Sequence, residues 1–148
     1  MNVHIDVQRA LDAGPDQNHI QHWVESVLKH EQQGDGELSL RIVDETEGSA
    51  LNKQYRDKDY ATNVLSFTCD LPAEVDINLL GDLVICAPVV QREAEEQGKT
   101  EQAHWAHMII HGMLHLLGYD HLNDADAKKM EAHEIAILAG LGFSNPYL

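Results

Sequence analysis

The sequence predicts an α+β domain: a small mixed four-stranded sheet packed against helices, with a buried helix at its centre. Three observations carry that expectation. Short strand-like segments occur near residues 3–8, 38–42, 64–68 and 82–86. Helical patterns stand between the early strands, and two long helical patterns close the chain. The first of those two, residues 100–117, is apolar nearly all the way round, which marks a helix covered on every side.

Each element has a local reason. Residues 3–8 alternate, with Val3, Ile5 and Val7 on one face. Pro15 and Asp16 start a helix whose apolar stripe is Ile20, Trp23, Val24, Val27 and Leu28, and Gly34 and Gly36 follow its end. Leu38, Leu40 and Ile42 mark the second strand. Thr46 begins a shorter helix reaching about Tyr55, and residues 57–62 form a polar connection. Val64 to Thr68 make the third strand, followed by a loop containing Pro72, and Asp82 to Cys86 make the fourth. Pro88 suits the first turn of a third helix that ends near Gly98. Thr100 caps the fourth helix, which runs to about Leu117. Asn123 or Asp124 caps the last, which runs to about Gly140 with Met130, Ile137 and Leu141 on its inner face. Residues 143–148 form a short tail.

Hydrophobic residues make up 43% of the 148 and charged residues 24%, an ordinary globular balance, so one domain spanning 1–148 is expected. No apolar run approaches the roughly 18 residues of a membrane span, so no membrane partner is expected. The opening residues lack the basic and apolar regions of a signal peptide, and Cys69 and Cys86 form no Cys-x-x-Cys pair; a reducing cytoplasm is the expected compartment. Cys86 lies in an apolar run and reads as a small core residue. The formal net charge of −15 argues against a non-specific grip on nucleic acid, which normally needs a basic face. Lys53, Arg56 and Lys58 nevertheless lie close together, with Arg41 shortly before them, so a local positive patch on an acidic body is one reading and solvated surface charge the other.

The chemistry is concentrated in residues 111–121, His-Gly-Met-Leu-His-Leu-Leu-Gly-Tyr-Asp-His. His111 and His115 are four apart, so on a helix they stack on one face. Gly118 can end that helix in a left-handed conformation, and the returning chain can bring His121 to the same point. Three imidazoles leave the fourth position of a zinc ion for water, as in catalytic sites. A single Zn2+ held by His111, His115 and His121 is therefore expected. His104 and His107 continue the polar stripe, but His107 and His115 are separated by two turns, about 12 Å at 1.5 Å per residue, too far to share one ion with bonds of about 2 Å. They are expected to pack beside the site or support it. Asp120 could orient a ligand imidazole, or simply face solvent. His133 and Glu134 read as ordinary surface or boundary residues, and His4, His19, His22 and His30 show no ligand spacing.

The spacing His-x3-His-x2-Gly-x2-His is similar to the ligand spacing of the metzincin zinc proteases. Those enzymes carry a glutamate directly after the first histidine as general base, and here that position is Gly112. The metal cage is kept and the peptidase base is missing. Arg56, in Tyr-Arg-Asp-Lys-Asp-Tyr-Ala-Thr-Asn-Val-Leu-Ser-Phe, can present a planar fork to phosphate oxygens, or form a surface ion pair with Asp57 or Asp59.

That stretch, Gly-Asp-Leu-Val-Ile-Cys at 81–86, the histidine motif and the closing Asn-Pro-Tyr resemble the YbeY family of rRNA maturation endoribonucleases over essentially the whole chain. Thr68 departs from the family pattern, where proline is expected after Ser-Phe. The resemblance implies that His111, His115 and His121 are zinc ligands and that Arg56 is the functionally important arginine. It implies metal-dependent cleavage of single-stranded or ribosomal RNA, 3′-end maturation of the small-subunit rRNA and ribosome quality control. The ribosomal small subunit and its proteins are then the expected partners. Two competing readings are a zinc metallopeptidase-like hydrolase with its base supplied from elsewhere, and a non-catalytic ribosome-assembly factor whose metal is structural.

Overall fold

The computed structural model describes residues 2–68, 79–120 and 122–148. Strand β1 (Val3–Arg9) leads through helix α1 (Gln17–His30) to β2 (Gly36–Val43), and helix α2 (Glu45–Arg56) leads to β3 (Val64–Phe67). Then come β4 (Leu79–Cys86) and helices α3 (Ala87–Glu96), α4 (Glu101–Leu116) and α5 (Asp124–Gly140). The sheet order is β1-β2-β4-β3. β1, β2 and β4 are parallel, and β3 runs antiparallel on the edge beside β4. The expected mixed four-stranded α+β arrangement is what the chain adopts.

Capping explains most boundaries. Asp16, Thr100 and Asn123 each accept a hydrogen bond from a backbone N–H in the first turn of α1, α4 and α5. α2 starts one residue earlier than Thr46, because the Asp44 side chain caps it through Glu47 N–H. β3 stops at Phe67, before Thr68. Cys69 and Pro72 lie outside the described residues. β4 begins at Leu79, three positions before the expected Asp82. The register shifts where β4 passes Glu37 and Leu38, and Gly81 takes φ +134°. A side chain at Gly81 would put Cβ 2.3 Å from the Phe67 carbonyl oxygen. This bulge carries Leu80 and Leu83 into the same core, which strict alternation would forbid.

The sheet separates two apolar layers. Leu38, Leu40, Ile42, Leu83 and Ile85 face α1 and α4 in the larger one. Val43, Val84 and Cys86 join Leu65 and Val89 on the other face, with Leu51 of α2 packed against them. α4 is the central helix, and Trp105, Ile109, Ile110, Met113 and Leu114 on it are buried. Each such side chain contributes about 1.5–3 kcal/mol relative to exposure. Gly112 lets α4 approach the sheet: an added Cβ would lie 2.7 Å from Leu83 Cδ2 and 3.2 Å from Val64 Cγ2. Among the described residues no helix is long and apolar enough to cross a membrane.

Candidate metal centre and phosphate cleft

The C-terminal end of α4 forms one wall of a cleft of about 810 Å³. Arg56, Lys58 and Tyr60 also line it, as do Gly118, Tyr119 and Asp120 of the turn after α4. Gly118, at φ +104°, ends the helix. Its N–H donates to His115 O at 3.0 Å and Tyr119 N–H donates to Leu114 O at 3.0 Å, the paired bonds of a Schellman turn. The turn thereby satisfies the last helical carbonyls and keeps the chain beside His115.

His111 and His115 meet as their spacing requires, with their Nε2 atoms 3.2 Å apart. The tautomers follow from the opposite ring edges. His111 Nδ1 lies 3.0 Å from Glu134 Oε1, and His115 Nδ1 lies 3.0 Å from the Tyr119 carbonyl oxygen. Both partners accept, so each ring carries a proton on Nδ1, and in the neutral form its Nε2 lone pair is turned toward its neighbour. Two lone pairs at that distance suit a shared cation. A tetrahedral ion with bonds of about 2.0–2.1 Å spans nitrogens about 3.3 Å apart. The pair therefore fits zinc without rearrangement. His121 lies outside the described residues; Asp120 and Leu122, on either side of it, both line the cleft.

Glu134 overturns the sequence reading of a surface or boundary residue. It is fully buried. Its Oε1 also lies 2.9 Å from His107 Nε2, and Tyr147 OH donates to Oε2 at 2.7 Å. Burial pushes this carboxyl up, but hydrogen bonds from His107 and His111, the charge of His111 and the Tyr147 hydroxyl outweigh it and hold the group at about 2. The Tyr147 phenol is raised by burial and by Glu134. The signal was present in the sequence: Glu134 falls between Met130 and Ile137 on the inner stripe of α5, where a carboxylate needs a partner. Asp120 is exposed, while the orienting contacts described for the two imidazoles come from Glu134 and the Tyr119 carbonyl. His107 supports Glu134, and His104 Nε2 pairs with Glu93 Oε1 at 2.9 Å.

The basic residues divide. Arg41 is held by Glu47 through two hydrogen bonds and takes no part in the cleft. Arg56 ends α2 and donates to the Ser66 carbonyl at 3.4 Å. Among the described residues it forms no ion pair with Asp57 or Asp59, so its guanidinium remains directed to the cleft with Lys58. Asp57 turns the chain at φ 58°, and buried Asn52 donates to the Tyr60 carbonyl at 2.8 Å, bracing the wall. Ser66 OH donates to the Gly112 carbonyl at 3.4 Å and ties β3 to α4. His30, expected to lack ligand spacing, and His133, expected to be an ordinary surface or boundary residue, converge with Glu31 where the end of α1 meets the middle of α5.

The family model described as "Endoribonuclease YbeY" matches residues 5–142. A protein of that name from Pseudomonas putida (strain W619) is 58% identical over 147 residues, covering 98% of this chain and 93% of the relative. One from Cellvibrio japonicus (strain Ueda107) is 53% identical over 145 residues, covering 98% of this chain and 82% of the relative. The solution structure of TM1509 from Thermotoga maritima shares the fold, with a TM-score of 0.61 at 24% identity, over 95% of this chain and 91% of that one. The sequence relationship is decisive: the chain belongs to the endoribonuclease YbeY family.

Proposed function

We propose that this chain is a metal-dependent, single-strand-specific endoribonuclease acting in rRNA processing, at the 3′ end of the small-subunit rRNA, and in ribosome quality control. The reading rests on relatives named as endoribonucleases at 53–58% identity. The observation that carries it is the His111–His115 pair, with Nε2 atoms 3.2 Å apart, lining one cleft together with Arg56. His111, His115 and His121 hold one Zn2+, and residues 1–148 act as a single endoribonuclease domain. Small-subunit proteins and rRNA in the cytoplasm are the partners; docking on basic ribosomal proteins suits a chain of net charge −15.

When bound, the ion polarises a phosphoryl oxygen or acidifies water. The chain's own residues do the rest. Glu134 and the Tyr119 carbonyl keep both Nδ1 atoms protonated, so both Nε2 atoms stay ligands. The Arg56 guanidinium grips the scissile phosphate and offsets the charge that grows on it. Lys58 adds a second cation along the backbone path. Tyr60, 59% exposed on the rim, offers a ring on which an unpaired base can stack, which duplex RNA cannot use. A peptidase is not supported, because the base position is Gly112 and any side chain there runs into Leu83.

The test incubates untagged, zinc-loaded protein with a single-stranded RNA, the same RNA annealed to its complement, and an unstructured peptide. Only the single strand is expected to be cut. Peptide cleavage without RNA cleavage would reverse the assignment, and undiminished RNA cleavage by His115→Ala protein would trace the activity to a contaminant.

A further inference from the structure

A second group of metal-ligating side chains lies outside the cleft. His30 and Glu31, at the end of α1, meet His133 of α5 with their ligand atoms all within 4.8 Å of one another. His30 Nδ1 is 2.8 Å from Glu31 Oε2, and His133 Nδ1 is 3.0 Å from the same oxygen. The Tyr119 hydroxyl donates to Glu31 Oε1 at 2.6 Å and lies 3.2 Å from His133 Nε2.

The protons can be counted. The Tyr119 hydroxyl has one, and Glu31 takes it. Toward His133 the hydroxyl can then only accept, which places the ring proton on Nε2. A neutral His133 is left with a lone pair on Nδ1. That atom is buried, forms no hydrogen bond among the described residues, and stands 3.0 Å from a carboxylate oxygen. Two acceptors at that separation repel, and a cation between them removes the conflict. His30 can supply a third donor at little cost, because its ring is partly exposed and can move its proton to the far nitrogen.

We propose that His30, Glu31 and His133 form a divalent-cation site for zinc, distinct from the cleft histidines. Two imidazoles and one carboxylate suit zinc chemically. The observed 2.8 and 3.0 Å separations need to open by only a few tenths of an ångström to reach the roughly 3.3 Å of a tetrahedral site. The Tyr119 hydroxyl, on the other carboxylate oxygen, fixes the orientation of Glu31. The same residue's carbonyl holds His115, so one tyrosine stands between the two sites.

The decisive material is the untagged His111→Ala/His115→Ala double variant, stripped of metal and titrated with Zn2+ by calorimetry. One equivalent is expected to bind. Adding His133→Gln or His30→Gln should weaken that binding by at least about tenfold. In parallel, native mass spectrometry of the otherwise unaltered chain should count two zinc ions, falling to one with His133→Gln. This second count stands even if the double variant fails to fold. A single ion in the unaltered chain would overturn the site. So would zinc binding indifferent to His133→Gln, or a nitrogen spectrum in which His133 is doubly protonated at pH 7 and unmoved by zinc, the signature of a histidine–carboxylate ion pair.

Discussion

The histidine pair at the end of α4 and the histidine–carboxylate group between α1 and α5 use the same side chains and come together by opposite routes. His111 and His115 meet because one helix repeats every 3.6 residues, so a spacing of four is enough. His30, Glu31 and His133 meet only because α1 and α5 pack beside each other, far apart in sequence. Their surroundings also differ. The α4 pair opens on a cleft with Arg56 and Lys58, where a phosphate is welcome. The other group contains its own carboxylate, which repels a phosphate. The α4 pair shares its cleft with two cationic side chains, whereas the α1–α5 group holds a carboxylate instead.

The largest effect that would break this comparison is expected from His115→Ala. It should reduce RNA cleavage to background and remove the cleft zinc, read by metal analysis and a fluorescent single-stranded substrate. Retained cleavage would detach the activity from the α4 pair. Next is Arg56→Ala, expected to lower kcat/KM by about 10²–10³-fold with metal content unchanged, as for loss of one donor to developing charge. A fall in zinc content instead would make Arg56 a structural residue. Glu134→Gln should follow, weakening cleft zinc by about 10–100-fold in competition with a chromogenic chelator, because His111 loses its charged partner.

The smallest effect belongs to Arg41, the basic residue outside the cleft. Arg41→Ala should leave RNA cleavage unchanged and cost less than about 1 kcal/mol in denaturant unfolding, as for exposed ion pairs. The hydrogen bond from Arg41 holds the Glu47 carboxyl below its ordinary 4.5. A carboxyl depressed in the folded state contributes fully above pH 4.5 and loses that contribution as pH falls through its folded value. Acid unfolding of the Arg41→Ala protein should therefore lack that small increment of pH dependence. Impaired cleavage in this variant would mean that the positive patch extends beyond Arg56 and Lys58.

Much of the scaffold was legible because its rules are local. Asp16, Thr100 and Asn123 mark helix starts by hydrogen bonds that span three residues. Gly118 marks the end of α4 because a left-handed residue suits glycine. The bulge at Gly81 was not legible, since it answers to the Phe67 carbonyl on a neighbouring strand. The family resemblance in the histidine motif and in residues 55–67 agrees with the family match over residues 5–142. Glu134 lies between these cases: its place on an apolar stripe marks it as buried, but nothing in its neighbourhood names His107 and His111 as partners.

Short-range regularities thus suffice for the helices, their caps and the pairing of His111 with His115, because hydrogen bonding along one backbone dictates them. Which charges escape pairing is another matter. Arg41 meets Glu47 while Arg56 is turned to the cleft; Glu134 reaches His111, and Glu31 reaches His133. Those outcomes depend on how β3, α2 and α5 pack around α4. Packing is a competition among distant surfaces for the same space, and no spacing along the chain encodes its result.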